Sequence, residues 1–201
     1  MRRRMRAEQR RELLLKAALE LFAANGYDDT TTKAVAESTG VTEAMLFRHF
    51  ASKRELFYAV LGEFGPKQFL PVDDRTLNAM PVPDALRVLI TEYLEGMWLH
   101  RDWVRVLWRE SAHDELAAGE LRKQYRAVGS VLRRVLDLGA KRGEVQVDVI
   151  PAALQVISLS VRGFVARAAR RPPDDWEVAR DEFASNLVHV IFYGICDGGA
   201  T

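Results

Sequence analysis

Between Thr31 and Phe50 the chain reads TTKAVAESTGVTEAMLFRHF, and Gly40 near its middle constrains the fold more than any other position. Gly40 stands where a chain leaving a helix needs a positive φ, which only glycine adopts without steric cost. The spacing predicts two short helices around that turn. The first, about Thr32 to Ser38, has Val35 and Ala36 for an inward face. One hydroxyl of the run Thr30, Thr31 and Thr32 can serve as its N-cap. Thr42 is placed to cap the second helix, with Val41 and Leu46 at the spacing of a hydrophobic staple. Helix, tight turn, helix is the frame of a helix-turn-helix, whose second helix enters a DNA major groove. It is also the frame of an ordinary αα-corner.

The flanking residues add detail. Leu46 and Phe50, one turn apart, point inward and leave Glu43, Ala44, Met45, Phe47, Arg48 and His49 to flank and groove. Ser52 with Glu55 three residues later is a capping box. The helix that it opens carries Leu56, Phe57, Val60, Leu61 and Phe64 at helical spacing. Upstream, a helix from Glu8 to Asn25 sets Leu14, Ala18, Leu21 and Phe22 on one stripe, with Gly26 closing it. Arg2, Arg3, Arg4 and Arg6 precede it, either as an arm for a narrow minor groove or as an idle terminus.

The stretch GYDDTTTKAVAESTGVTEAMLFRHFASKRELFYAVL resembles the DNA-binding domain of the tetracycline-repressor (TetR) family of transcriptional regulators. The likeness rests on Gly26-Tyr27, Thr31-Thr32, Val35-Ala36, Gly40-Val41, Leu46-Phe47, His49-Phe50 and Lys53 at fixed offsets. It implies a three-helix DNA-binding domain over residues 8–68, with the helix-turn-helix at 31–50, and a larger helical domain for ligand binding and dimerisation over 69–201. Carried over by position, the DNA-facing residues are Thr32, Lys33, Thr42, Glu43, Ala44, Met45, Phe47, Arg48, His49 and Lys53. Lys53, Arg48, His49 and the Thr42 hydroxyl are expected at or beside the phosphate backbone. Two positions depart from the family pattern. Phe47 stands where tyrosine is usual and lacks the hydroxyl that would reach a phosphate. Glu43 stands where a neutral or basic residue is common. Its carboxylate either accepts from cytosine N4 or favours the helix N-terminus electrostatically.

Charge supports a nucleic-acid partner. The 201 residues carry a formal net charge of +1, which hides an asymmetry. Through Arg54 there are eleven basic and seven acidic residues, a net +4, against 18 basic and 21 acidic beyond, a net −3. Positive charge is thus concentrated around the helix-turn-helix, as phosphate neutralisation requires. No uninterrupted apolar run approaches the roughly 18 residues of a membrane span. The basic N-terminus lacks the apolar segment of a secretory signal, so the expectation is a cytoplasmic protein without a membrane partner. The single cysteine, Cys196, excludes an intramolecular disulfide and reads as a small apolar residue near a helix end.

From Gly65 to Pro83, four of the seven prolines (Pro66, Pro71, Pro81 and Pro83) mark a linker. Beyond it the pattern predicts helices at Pro83–His100, Asp102–Ser111, Glu115–Arg142, Val149–Arg170 and Asp174–Ile195. No stretch reads as a strand, so the fold class is all-α. The last two helices have broad apolar faces that suit an intrachain core. The resemblance adds a homodimer, whose interface would use Ile157, Val161, Phe164, Phe183, Leu187 and Ile191. Two-fold pairing would let two short recognition helices read a palindromic operator in double-stranded DNA. The middle helices are rich in large side chains that read as core or as pocket. For Tyr93, Met97, Trp98, Trp108 and Tyr125, the resemblance implies the cavity of a small, usually apolar effector.

One constellation points elsewhere. Glu110-Ser-Ala-His113 is a Glu-x-x-His spacing, half of a di-iron carboxylate motif, but the chain has no second copy. No nucleophile elbow, phosphate loop or dinucleotide fingerprint is present. The reading is a DNA-binding regulator, most simply a repressor released by a small molecule, with no enzymatic activity, metal or cofactor. The alternatives are a helical-bundle metalloenzyme and a regulator controlled by a partner protein.

Overall fold

The computed structural model describes residues 7–65 and 74–196. The arginines at positions 2–6, Pro66, Pro71, the boundary at Gln68 and the side chain of Cys196 lie outside the described residues. Every regular element among the described residues is helical. The chain divides into two compact units: residues 1–65 with 100–122, and residues 66–99 with 123–201.

In the first unit, α1 spans Ala7–Asn25, α2 Thr32–Ser38, α3 Glu43–Leu46 and α4 Lys53–Phe64. They are joined by α7, Arg101–Glu110, and by the opening residues of α8, Glu115–Arg142. Leu14, Leu15, Ala18, Phe22 and Ala23 of α1 are buried, a wider stripe than the four residues the periodicity picked out. They pack against α2, α4 and α7. Phe22 meets Phe57 of α4 edge to face at 5.7 Å, and Tyr27 leans on Phe57 at 5.0 Å. Each ring contributes roughly 1.5–3 kcal/mol by burial.

The grouping of α7 with the N-terminal helices rests on contacts far apart in the chain. The Trp103 indole N–H donates to the Leu61 carbonyl at 3.0 Å, and His100 Nδ1 lies 3.1 Å from the Phe64 carbonyl. Both carbonyls belong to the last turn of α4, where no intrahelical donor exists. In the last turn of α1, Arg109 donates to the Phe22 and Ala23 carbonyls at 3.5 and 3.4 Å, the Phe22 carbonyl also accepting the Gly26 N–H at 2.9 Å. A cation at a helix C-terminus also suits its dipole. A boundary drawn from the proline-rich stretch alone places all of α7 with the C-terminal part.

The second unit holds α5 (Asp74–Ala79), α6 (Val82–Leu99), the rest of α8, α9 (Ile150–Arg170) and α10 (Trp176–His189). Helix α5 falls inside the stretch read as linker, so that expectation is corrected for Asp74–Ala79. Pro71 and Pro81 flank it, and no proline interrupts it. A 3-10 turn at Val147–Val149 leads into α9, and wider π-type turns continue α10 from Val190 to Cys196. Helix α6 is the hub, burying Leu86, Leu89, Ile90, Leu94 and Met97 and packing on α9 and α10. Trp98 of α6 stacks on Trp176 of α10 at 4.3 Å. Beside that pair, Glu95 accepts from the Trp176 indole at 2.9 Å and from Arg180 at 2.6 Å. Gly139 of α8 lies so close to Val82 that a Cβ there would collide with it. By length and composition alone, Val147–Arg170 could cross a membrane, yet its Ile157, Val161, Phe164 and Val165 side is buried within the chain.

Candidate nucleic-acid interface

Local chemistry places each helix of the pair. Thr31 is the N-cap of α2, its hydroxyl accepting from the Ala34 N–H at 3.1 Å. Thr30 is instead buried, and its hydroxyl donates to the Gly26 carbonyl at 2.7 Å and the Leu21 carbonyl at 3.2 Å. Three adjacent threonines thus have separate duties. Helix α2 ends at Thr39, and Gly40 turns the chain with φ +71°. Thr42 then caps α3, accepting from the Met45 N–H at 3.3 Å.

Regular α geometry in α3 covers only Glu43–Leu46. Beyond it the turns tighten, with Arg48 N–H donating to the Met45 carbonyl at 3.2 Å and His49 N–H to the Leu46 carbonyl at 2.9 Å. Phe50 N–H returns to the Leu46 carbonyl at 3.0 Å. Leu46 and Phe50 are buried and fix this short segment to the core. Ala44, Phe47 and Arg48 are exposed, while Glu43, Met45 and His49 are half-buried. Phe47, at 45% exposure, is a large ring presented to solvent without a core role. Positions 44, 47 and 48 fall on one helical face, opposite the anchors.

The remaining expected DNA-facing residues flank that face in sequence. Lys33 is exposed and pairs with Glu37 at 3.9 Å, a surface pair worth at most about 1 kcal/mol. The Thr32 hydroxyl donates to Glu43 Oε1 at 2.5 Å, a clasp between the first turn of α2 and the first turn of α3. Glu43 is therefore engaged inside the protein through one carboxylate oxygen. Lys53, the first residue of α4, lies 4.4 Å over the Tyr27 ring and donates to the Asp28 carbonyl at 3.0 Å. Ser52 caps α4 by accepting from Glu55 N–H at 3.1 Å. The Glu55 carboxylate reaches back to the Ala51 N–H at 2.7 Å, one residue beyond the N-cap.

The residues expected to line an effector cavity do not share one environment. Tyr93 and Met97 are buried on α6, Trp98 is half-buried, and Tyr125 of α8 is exposed. Burial pushes the Tyr93 hydroxyl well above the usual tyrosine range, with the Tyr125 phenol adding to it. Trp108 sits on α7 in the first unit. A surface cavity of about 280 Å³ in the second unit is lined by Pro83, Ser185, Val188, His189, Phe192 and Tyr193, none of those five residues.

Of the residues expected at a dimer interface, Ile157, Val161, Phe164, Leu187 and Ile191 are buried within the single chain. Phe183 is half-buried and stacks on Phe164 at 4.3 Å. The five buried residues already have most of their apolar surface removed from water within one chain, whereas Phe183 keeps part of its ring exposed. The exposed large apolar residues of the same segments are Leu159, Val178, Val190 and Tyr193. Periodicity alone could not separate the two sets, because both repeat at helical spacing.

Glu110 of the Glu-x-x-His spacing has a structural partner: its Oε1 accepts from the Tyr27 N–H at 3.1 Å, across 83 residues of chain. Sequence reasoning missed this contact, and no local signal could have shown it.

Residues 14–60 match the family described as bacterial regulatory proteins, tetR family. The regulator TcmR of Streptomyces glaucescens is 44% identical over 54 residues, 27% of this chain and 24% of that relative. The chain thus spans about a quarter of that relative's length. The repressor AcnR of Corynebacterium diphtheriae is 25% identical over 162 residues, 80% of this chain and 81% of its own. A TetR-like transcriptional regulator of known structure from Rhodococcus sp. RHA1 shares the fold, with a TM-score of 0.71 at 19% identity. That match covers 95% of this chain and 100% of the other. Residues 14–60 thus match a domain of the tetR family of bacterial regulatory proteins, and the relatives that the chain resembles are transcriptional regulators.

Proposed function

We propose that the protein is a cytoplasmic, homodimeric repressor that binds a palindromic operator and leaves it when a small, apolar effector binds. The observation that carries the reading is the outward face of α3, where Ala44, Phe47 and Arg48 are exposed on a segment anchored by buried Leu46 and Phe50. Such a segment can enter a major groove without repacking the core. Lys33, Arg48 and Lys53 supply phosphate contacts in this reading, and Thr42 and His49 flank them. The residues 8–68 act as the DNA-binding domain and 69–201 as the regulatory and dimerising part.

A single helix this short offers few base contacts, so the reading needs a second copy. The exposed apolar residues Leu159, Val178, Val190 and Tyr193 are the surface assigned to it. Repression is supported by AcnR, which matches along most of both chains and is a transcriptional repressor. The effector acts by its differential affinity for two conformations of the dimer, which sets how far DNA affinity falls.

Binding-site selection from a random duplex library, with sedimentation of the free protein, tests this directly. Two inverted half-sites separated by about one helical turn, or a multiple of it, are expected with a dimer at micromolar concentration. A monomer in solution that enriches a single half-site would sink the dimeric reading.

A further inference from the structure

We infer that Tyr27 and Glu110 are positioning residues that hold the Lys53 ammonium ready for a phosphate of bound DNA. This rests on the reading of Lys53 as a phosphate contact. Lys53 occupies the first position of α4, where the partial positive charge of the helix N-terminus disfavours a cation. Two groups compensate. The Tyr27 ring lies 4.4 Å under the ammonium, and the Asp28 carbonyl accepts one of its hydrogens at 3.0 Å. An ammonium has three N–H donors, so others stay free for an incoming phosphate.

Both compensating groups sit in the turn between α1 and α2, which has no helical ladder of its own. It is held from α7. Glu110 Oε1 accepts the Tyr27 N–H at 3.1 Å, and Arg109 grips the Phe22 and Ala23 carbonyls just before the turn. Gly26 takes φ +95° there, and a Cβ on it would lie 3.0 Å from Arg109 Nη1. The Tyr27 ring is further braced by Phe22 at 5.8 Å and Phe57 at 5.0 Å. The path therefore runs from the end of α7 through the backbone of the turn to one ring, and from that ring to one cation. A lysine held this way gives up less side-chain freedom when it meets a phosphate than a free one does.

The test is a set of variants assayed against a labelled duplex recovered by selection, titrated at several salt concentrations. Lys53→Ala should lower the salt slope by about one unit per subunit. If it does not, the phosphate reading itself fails. Where Lys53→Ala does lower the slope, Tyr27→Leu and Glu110→Ala should each weaken binding about two- to fivefold per subunit. Tyr27→Phe keeps the ring and Glu110→Gln keeps the acceptor, so both should bind as the native protein does. In a Lys53→Ala background, Tyr27→Leu and Glu110→Ala should add nothing. Equal effects in both backgrounds, or tighter binding by Tyr27→Leu, would overturn the positioning role while leaving the phosphate contact standing. The DNA-free protein supplies a second measurement. The Lys53 ε-methylene protons should resonate upfield over the face of the ring and move downfield in Glu110→Ala; an unshifted resonance in the native protein would count against the arrangement.

Discussion

At the residue scale, the carboxylate of Glu43 carries the sharpest question. It was expected either to read a base or to favour the helix N-terminus, and it also holds the Thr32 hydroxyl at 2.5 Å. A charge-assisted hydrogen bond of this kind contributes about 1.5 kcal/mol when partly exposed. Thr32→Val should lower stability by about that amount in urea denaturation. Loss of the clasp also frees the carboxylate, so Thr32→Val and Glu43→Gln should differ in DNA binding. If the second oxygen accepts from cytosine N4, Glu43→Gln should relax discrimination at one base pair per half-site by about 1–3 kcal/mol. Selection experiments giving the same consensus for native protein and Glu43→Gln would end the base-reading idea and leave the clasp as the role of this residue.

At the scale of elements, the turn between α2 and α3 and the seam between α6 and α10 make separate demands. Gly40 has φ +71° and open space around its Cβ position, so a side chain there meets no neighbour. Gly40→Ala should therefore cost only the left-handed backbone penalty, about 1–2 kcal/mol, with folded spectra unchanged. A larger loss in thermal melting would reveal packing that the structure does not contain. At the other seam, Arg180 has a side-chain exposure of 16% and shares Glu95 with the Trp176 indole. Glu95→Ala strips an acceptor from both and should destabilise by about 1–3 kcal/mol in denaturant titration. Equal stability of Glu95→Ala and native protein would mean that water replaces the carboxylate at no cost.

At the scale of the whole molecule, core and association surface can be told apart by where a charge is tolerated. Leu187 is buried within one chain, at 5% exposure, and Leu159 stands at 63%. Leu187→Glu should unfold the second unit, because an unpaired carboxylate has no partner there. Leu159→Glu should leave circular dichroism and melting nearly unchanged while weakening the dimer in sedimentation. The converse result, with Leu187→Glu folded but monomeric, would return the association surface to the residues that are buried within the single chain.

Much of this protein was legible in the sequence alone because the physics behind it acts over a few residues. Thr31, Thr42 and Ser52 cap helices, since a side-chain oxygen reaches a backbone N–H three residues away. Gly26 and Gly40 take positive φ where helices end, for steric reasons local to each residue. The all-helical fold follows from the 3.6-residue repeat of apolar positions, and the likeness of residues 14–60 to the tetR family from residue types at fixed offsets. Tertiary structure decided what depends on distant partners. Attachment of α7 to α1 and α4 through Trp103, Arg109 and Glu110 has no local signature, because its partners lie tens of residues away. The duty of Lys53 toward Tyr27 and Asp28 is likewise invisible in a one-dimensional pattern. The apolar repeat tells that Leu187 and Leu159 sit on helices. Only packing in three dimensions decides which of them the chain buries for itself and which it leaves exposed.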